Sequence, residues 1–283
     1  MEIRGYDYKA RKKKVEEILE NTNFINEVKR FPNNDNFTYE NGYKAWLSAI
    51  FIDLRNSTKL FTENSEVDVA KVIRGFTSEV IEILQKDTQD NELKEIGIRG
   101  DCVFAVYSTA SKEEIYDVYQ RAVYINTYLK MLNKLLDKRN LPNIKAGIGL
   151  AADKNLAVKA GRKSSGINDF VWIGKAVTTA SNLADLGNKE GICPIVMSGT
   201  FYINYKDIEK NDSVKNLWKR NFDSQIGYYY HANVVFSKFD EWINSGMKDW
   251  DPSSLILVKL KVDFILFTSF IDKNDIIEQL TLI

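Results

Sequence analysis

Two aspartates stand at the ends of apolar runs and are the residues best placed to do chemistry. Asp53 closes Ala49-Ile50-Phe51-Ile52, a β-branched and aromatic strand pattern. The polar turn after it, Leu54-Arg55-Asn56-Ser57-Thr58, reads as the start of a helix capped by Ser57 and Thr58. Asp101 lies in Ile98-Arg99-Gly100-Asp101-Cys102-Val103, which reads as strand, turn, strand with Asp101 at the hairpin tip. Two carboxylates on neighbouring turns, with free backbone N–H groups beside one of them, suit two hard cations and a triphosphate. Taken singly, each aspartate is also what an ordinary cap or turn uses.

The elements that must hold these turns follow from the apolar pattern. A helix is expected over about 66–86, with Val69, Val72, Ile73, Phe76, Val80, Ile83 and Leu84 on one face. The strand 46–53 precedes it and the hairpin 93–107 follows. A long helix over 112–138 comes next, then strands at 145–152, 156–160 and 170–173. A helix over 175–186 closes at Gly187, and the remainder gives a strand at 194–198, short helices after Ser198 and near 212–220, and a strand at 226–236. Upstream, 9–30 is a helical stripe that covers a face or a partner, its Lys12-Lys13-Lys14 solvated, and 31–44 reads as a loop. This order predicts an α+β fold, a mixed β-sheet with one helical face. The domain parse is an N-terminal helix and loop (1–44), a main domain (45–236) and a C-terminal extension (237–283). In that extension Leu255–Phe264 partly alternates and 265–271 is nearly all apolar, too short and too charged for a membrane span.

Composition removes several function classes. Lysine plus arginine and aspartate plus glutamate both number 39 in 283 residues, so no net charge draws the chain to nucleic acid. Cys102 and Cys193 have no metal-ligand spacing, and a reduced, cytoplasmic protein is expected. The charged stretch from Met1 to Lys14 has no apolar core of the kind a signal peptide needs. His231 is the single histidine, which argues against Ser-His-Asp and Cys-His hydrolases and against a histidine-rich zinc site.

Three motifs in order carry a resemblance: Phe51-x-Asp53-x-x-x-Ser57-Thr58-x-Leu60, then Gly100-Asp101, then Trp172-Ile173-Gly174-Lys175-Ala176-Val177-Thr178-Thr179-Ala180-Ser181-Asn182-Leu183. Together they resemble the class III nucleotidyl cyclase catalytic domain, with its ferredoxin-like core, over roughly residues 45–235. More narrowly, Asp-Leu-Arg-Asn-Ser-Thr, Ile-Arg-Gly-Asp and Ser-Gly-Ile-Asn-Asp-Phe-Val-Trp-Ile-Gly resemble the pyrimidine cyclases of bacterial anti-phage signalling, the Pycsar systems. The resemblance implies cyclisation of UTP to cyclic UMP, with a cytidylate or purine cyclase as the alternative base choice. A non-catalytic, nucleotide-binding cyclase-like domain is the alternative of another class.

It also implies the parts. Asp53 and Asp101 would bridge two Mn²⁺ or Mg²⁺ ions, helped by the carbonyl of Leu54, while Arg55, Asn56, Ser57 and Thr58 would meet the phosphates. Phe51, Arg99, Val171 and Trp172 would surround the base. Adenylyl cyclases of this class place a purine-reading lysine where this chain has Gly97, and the Asn-x-x-x-Arg pair that holds ribose and stabilises the transition state aligns with Thr178 and Asn182. The lost arginine leaves Arg99, Arg162, Lys163 or Lys175 to supply positive charge. A head-to-tail homodimer is the implied assembly, and the product would act on a separate cyclic-nucleotide effector protein.

Overall fold

The structure is a computed structural model that describes residues 5–21, 24–89, 91–161 and 168–248. In chain order its elements are α1 (Tyr8–Asn21), β1 (Phe24–Glu27), β2 (Asn41–Leu54), α2 (Ser57–Glu63), α3 (Glu66–Gln85), β3 (Leu93–Arg99), β4 (Cys102–Ser108) and α4 (Lys112–Asp137). There follow β5 (Ala146–Gly161), β6 (Asn168–Ile173), α5 (Lys175–Leu186), β7 (Ile195–Ser198), α6 (Gly199–Ile208), α7 (Asp212–Lys215), β8 (Lys219–Asp223), β9 (Gly227–Ala232) and α8 (Ser237–Asn244). Met1–Asp240 is one compact unit and Glu241–Ile283 a second. Arg162 and Lys163, two of the candidates for positive charge, and the expected tail elements at 255–271 lie outside the described residues.

The strands form one mixed sheet in the order β3-β4-β2-β5-β7-β9-β8, with β1 paired to β2 and β6 paired to β5 off that path. The β1·β2 and β5·β7 pairs are parallel and the rest antiparallel. The expected α+β architecture is therefore present. The expectation of a single helical face is overturned, because β2 is packed on both sides. Ile50, Ile52 and Leu54 join Val72, Phe76, Val80 and Leu84 of α3, the apolar stripe of α4, and Phe201 and Tyr205 of α6. Their alternates Leu47, Ala49 and Phe51 lie with Phe104, Val106 and Ala151 under Ala176, Ala180 and Ala184 of α5. That second contact is backbone-close. A Cβ built on Gly149 would sit 2.0 Å from the Ala180 carbonyl oxygen, and one on Gly147 would sit 2.1 Å from that of Ala184.

Other differences have local causes. Strands expected at 145–152 and 156–160 are one strand, since Asp153 and Lys154 continue the ladder opposite Leu47 and Trp46. β2 starts at Asn41, earlier than expected, and its first residues pair with β1, which was read as part of a helix. β8 took the place of the end of an expected helix, which stops at Lys215. Asn56, at φ 56°, caps α2 in place of Ser57 and Thr58, with no side-chain cap bond. α1 buries none of its residues, so it covers no face of its own unit, and Lys12 and Lys14 pair along the helix with Glu16 and Glu17.

Candidate active site

β2 delivers Asp53 one residue before its end, opposite Cys102 of β4 and Gly147 of β5. Asp101 occupies the two-residue turn between β3 and β4, next to Cys102, with Gly100 at φ 64° providing the left-handed step. The ladder thus brings the two aspartates to one end of one sheet. Asp53 has a side chain 28% exposed, and its pKa is raised, chiefly by burial and further by the charge of Asp101 and of Asp185, against the lowering effect of Arg55. A carboxylate whose ionisation is disfavoured by burial and by the charge of a second carboxylate fits a divalent cation, which removes that repulsion. Among the described residues no group of three or more His, Cys, Asp or Glu side chains could hold a metal. The donors expected from the sequence, two carboxylates and the Leu54 carbonyl, would suit an ion that completes its shell with water and phosphate oxygens.

Arg55 is placed differently from its neighbours in the turn. Its side chain is 5% exposed and folds inward. The guanidinium pairs with the Asp53 carboxylate, donates to the Asp53 carbonyl (3.1 Å) and donates to the Asp185 carbonyl at the end of α5 (2.7 Å). Its backbone N–H extends the sheet by donating to Lys145 O (2.8 Å). The expected phosphate contact from Arg55 thus finds its donors already engaged within the chain. Asn56, Ser57 and Thr58 form the turn and the first residues of α2, whose uncapped N–H groups remain at the helix start. A cleft of about 290 Å³ opens beside this turn, lined by Asn56, Lys59, Glu63 and Lys145 among others.

Phe51, Arg99 and Trp172 are gathered on the same side of the sheet, Arg99 level with Asp53 across the ladder through Cys102 and Phe51 two residues back along β2. Phe51 is core rather than an open wall. It stacks on Phe104 at 5.1 Å and 15°, and both rings are almost fully buried. Arg99 is exposed, with its guanidinium carbon 5.0 Å from the Phe104 ring centre. Trp172 packs edge-on to Phe31 and donates its indole N–H to Glu95 Oε2 (2.6 Å). Thr178 and Asn182, one turn apart on α5, are both exposed and point away from the alanines that face the sheet. Among the described residues no side-chain hydrogen bond joins them to the aspartates.

The sequence reading missed Glu95, Phe104 and Asp185. Glu95 had a signal, since it alternates with Gly97 and Arg99 and so must share their face. Asp185 had none, because only the docking of α5 brings it beside Arg55. The two cysteines are free thiols, and burial first, then the Asp53 charge, push Cys102 up to about 12, which keeps it protonated and inert. His231 accepts from the Cys193 N–H through Nδ1 (3.1 Å), a structural role.

With this arrangement in view, the comparisons with known proteins define first a class. The fold matches that of the adenylyl cyclase CyaB from P. aeruginosa, with a TM-score of 0.57 and 17% identity, covering 68% of this chain and 95% of that one. The architecture is the class III nucleotidyl cyclase fold. No family model matches the sequence. The chain is 44% identical over 247 residues to a uridylate cyclase of Treponema porcinum, across 87% of this chain and 84% of the relative. It is 31% identical over 194 residues to a uridylate cyclase of Gulbenkiania mobilis, across 66% of this chain and 74% of the relative. The chain belongs to the uridylate cyclase family and is a nucleotidyl cyclase.

Proposed function

We propose that the protein converts UTP to 3′,5′-cyclic UMP and pyrophosphate, with residues 45–236 as its catalytic domain. The observation that carries this reading is the meeting of Asp53 and Asp101 at one sheet end, in a chain whose relatives are named uridylate cyclases.

The reaction moves the ribose 3′-oxygen onto the α-phosphorus of the same nucleotide, while the 3′-proton leaves and pyrophosphate departs. Asp53, Asp101 and the Leu54 carbonyl would hold Mg²⁺ or Mn²⁺, which supplies positive charge to the triphosphate and acidifies the 3′-hydroxyl. Arg55 holds the Asp53 carboxylate in place and ties it to α5. The N–H groups at the start of α2 offer donors to the leaving phosphates. Arg99 and Trp172 stand on the base side, as do Thr178 and Asn182 on α5 for the ribose.

The exposed face of α5 supports a homodimer in which one protomer brings the aspartates and its partner the base side. The product would be a second messenger of anti-phage defence, acting in the cytoplasm on a separate effector protein. No helix of the described residues is long and apolar enough to cross a membrane. Thr178 and Asn182, where purine cyclases carry asparagine and arginine, favour the second reading, a domain that binds nucleotide without turnover.

Incubation with Mn²⁺ and each ribonucleoside triphosphate separately, with products resolved against cyclic standards, tests both. Cyclic UMP as the main product is expected. Cyclic CMP or a cyclic purine would keep the reaction and overturn the base, and no product from any triphosphate would favour the second reading.

A further inference from the structure

We infer that Glu95 and Arg99 read the polar edge of the base from the two sides of a notch at Gly97, and that Glu95 is the residue that favours uracil over cytosine. This deepens the proposed function and rests on it.

The notch is enforced by packing. Glu95, Gly97 and Arg99 alternate along β3 and so share a face, and Gly97 pairs across the ladder with Phe104, which pairs in turn with Phe51. A Cβ on Gly97 would lie 2.7 Å and 2.8 Å from two carbons of the Phe104 ring, closer than real Cβ contacts come. That ring cannot give way easily, because it is 4% exposed and stacked on Phe51. The Phe104 ring thus takes the place a side chain at 97 would occupy and forms an aromatic floor between Glu95 and Arg99. Arg99 lies over that ring at 5.0 Å, an arrangement that holds a guanidinium flat while leaving its N–H donors at the rim.

Glu95 forms the other wall, and Trp172 fixes it. The indole N–H engages Oε2 at 2.6 Å and leaves the carboxylate further lone pairs to offer. The notch therefore presents an acceptor on one side and a donor on the other. Uracil matches this pair with its N3–H donor and its O4 acceptor. Cytosine turns a lone pair at N3 and an amino group at C4 toward the same two partners, which sets its lone pair against the carboxylate. A polar group left facing its like in a half-buried site is what gives large discrimination between bases of equal size.

The test measures kcat/KM with UTP and with CTP for the parent, Glu95→Gln, Glu95→Asp and Trp172→Phe, all with Mn²⁺. The UTP-to-CTP ratio is expected to fall about tenfold or more in Glu95→Gln, where a charge-assisted bond is lost. Glu95→Asp, which keeps the carboxylate, is expected to lose less. Trp172→Phe keeps the ring and removes only the N–H, and is expected to shift the ratio in the same direction. It carries the test if Glu95→Gln does not fold. An unchanged ratio in every soluble variant, even with both substrates slowed together, overturns the inference and leaves the cyclase assignment standing. A parent that forms no cyclic UMP overturns the proposed function itself.

Discussion

The two faces of β2 are packed by opposite means. Toward α3 and α4 the strand presents Ile50 and Ile52 to large side chains such as Phe76, Leu84 and Leu132, so that bulk fills the space between sheet and helices. Toward α5 it lies beside Gly147 and Gly149, and the helix answers with Ala176, Ala180 and Ala184, so that backbone meets backbone. Asp53, Phe51, Arg99 and Trp172 lie on or beside the second face, whereas Leu54, a candidate through its carbonyl alone, turns its side chain to the first. The difference has a physical reason. A thick layer of aliphatic side chains stabilises through buried area and tolerates small shifts, whereas a backbone contact has no flexible atoms to absorb them. Close packing of α5 therefore fixes the height of Asp185, Arg55 and Asp53 relative to one another.

The largest expected effect lies at the carboxylates. Asp101→Ala, in a turn with no packing role, should lower cyclase activity by more than about a hundredfold, beyond the loss of a supporting contact, while the melting temperature barely moves. Asp53→Ala should lose as much activity. Turnover near the parent level in either variant would remove the metal assignment.

Next come two substitutions that separate the faces. Phe76→Ala on the thick side should cost about 3–5 kcal/mol by chemical denaturation, with the folded fraction retaining its specific activity. Gly149→Ala on the thin side adds one methyl, yet it must displace the α5 backbone. A loss of at least ~3 kcal/mol is expected, together with reduced activity in whatever protein remains folded. Full specific activity in folded Gly149→Ala would break the comparison.

A smaller effect concerns the bond that links Asp53 to α5. Arg55→Lys keeps the charge but cannot reach the Asp53 carbonyl, the Asp53 carboxylate and the Asp185 carbonyl together. A loss of about tenfold in kcat is expected, in the range of other supporting contacts to a metal ligand. Parent-like kcat would show that the guanidinium serves folding alone.

The smallest is a pH effect at His231. Burial, and then Lys219, hold its pKa below the usual histidine range. A depressed histidine gives stability that is present above its unfolded pKa and is lost as pH falls, because the unfolded chain takes up the proton first. Protonation also forces a hydrogen onto Nδ1, which ends the bond from Cys193 N–H. Unfolding free energy should therefore decline below about pH 6.5, and His231→Gln should flatten that part of the profile. Since the chain has a single histidine, an unchanged profile in the variant would leave the decline to carboxylates.

Much of the molecule was legible in the order of its residues. The 3.6-residue stripe of 66–86 is local, and α3 follows it closely. The hairpin was equally readable, because Gly100-Asp101 permits a two-residue turn and the flanking residues are strand formers. The short strands β1 and β8 were not readable, since each is only four or five residues long and pairs with a partner already positioned by the rest of the sheet. Of the candidate contacts, the alternation of Phe51 with Asp53 was visible, but nothing in it said that Phe51 would be sealed by Phe104.

By itself, the sequence determined which residues carry charge, which turns deliver Asp53 and Asp101, and which stretches form the long helices. These depend on neighbours within a few positions along the chain. Only the tertiary structure decided that Arg55 turns inward, that Asp185 meets it, that Phe104 fills the space above Gly97, and that Trp172 engages Glu95. Those outcomes are set by ladder register and by the docking of α5, where partners far apart in the chain compete for the same few ångströms.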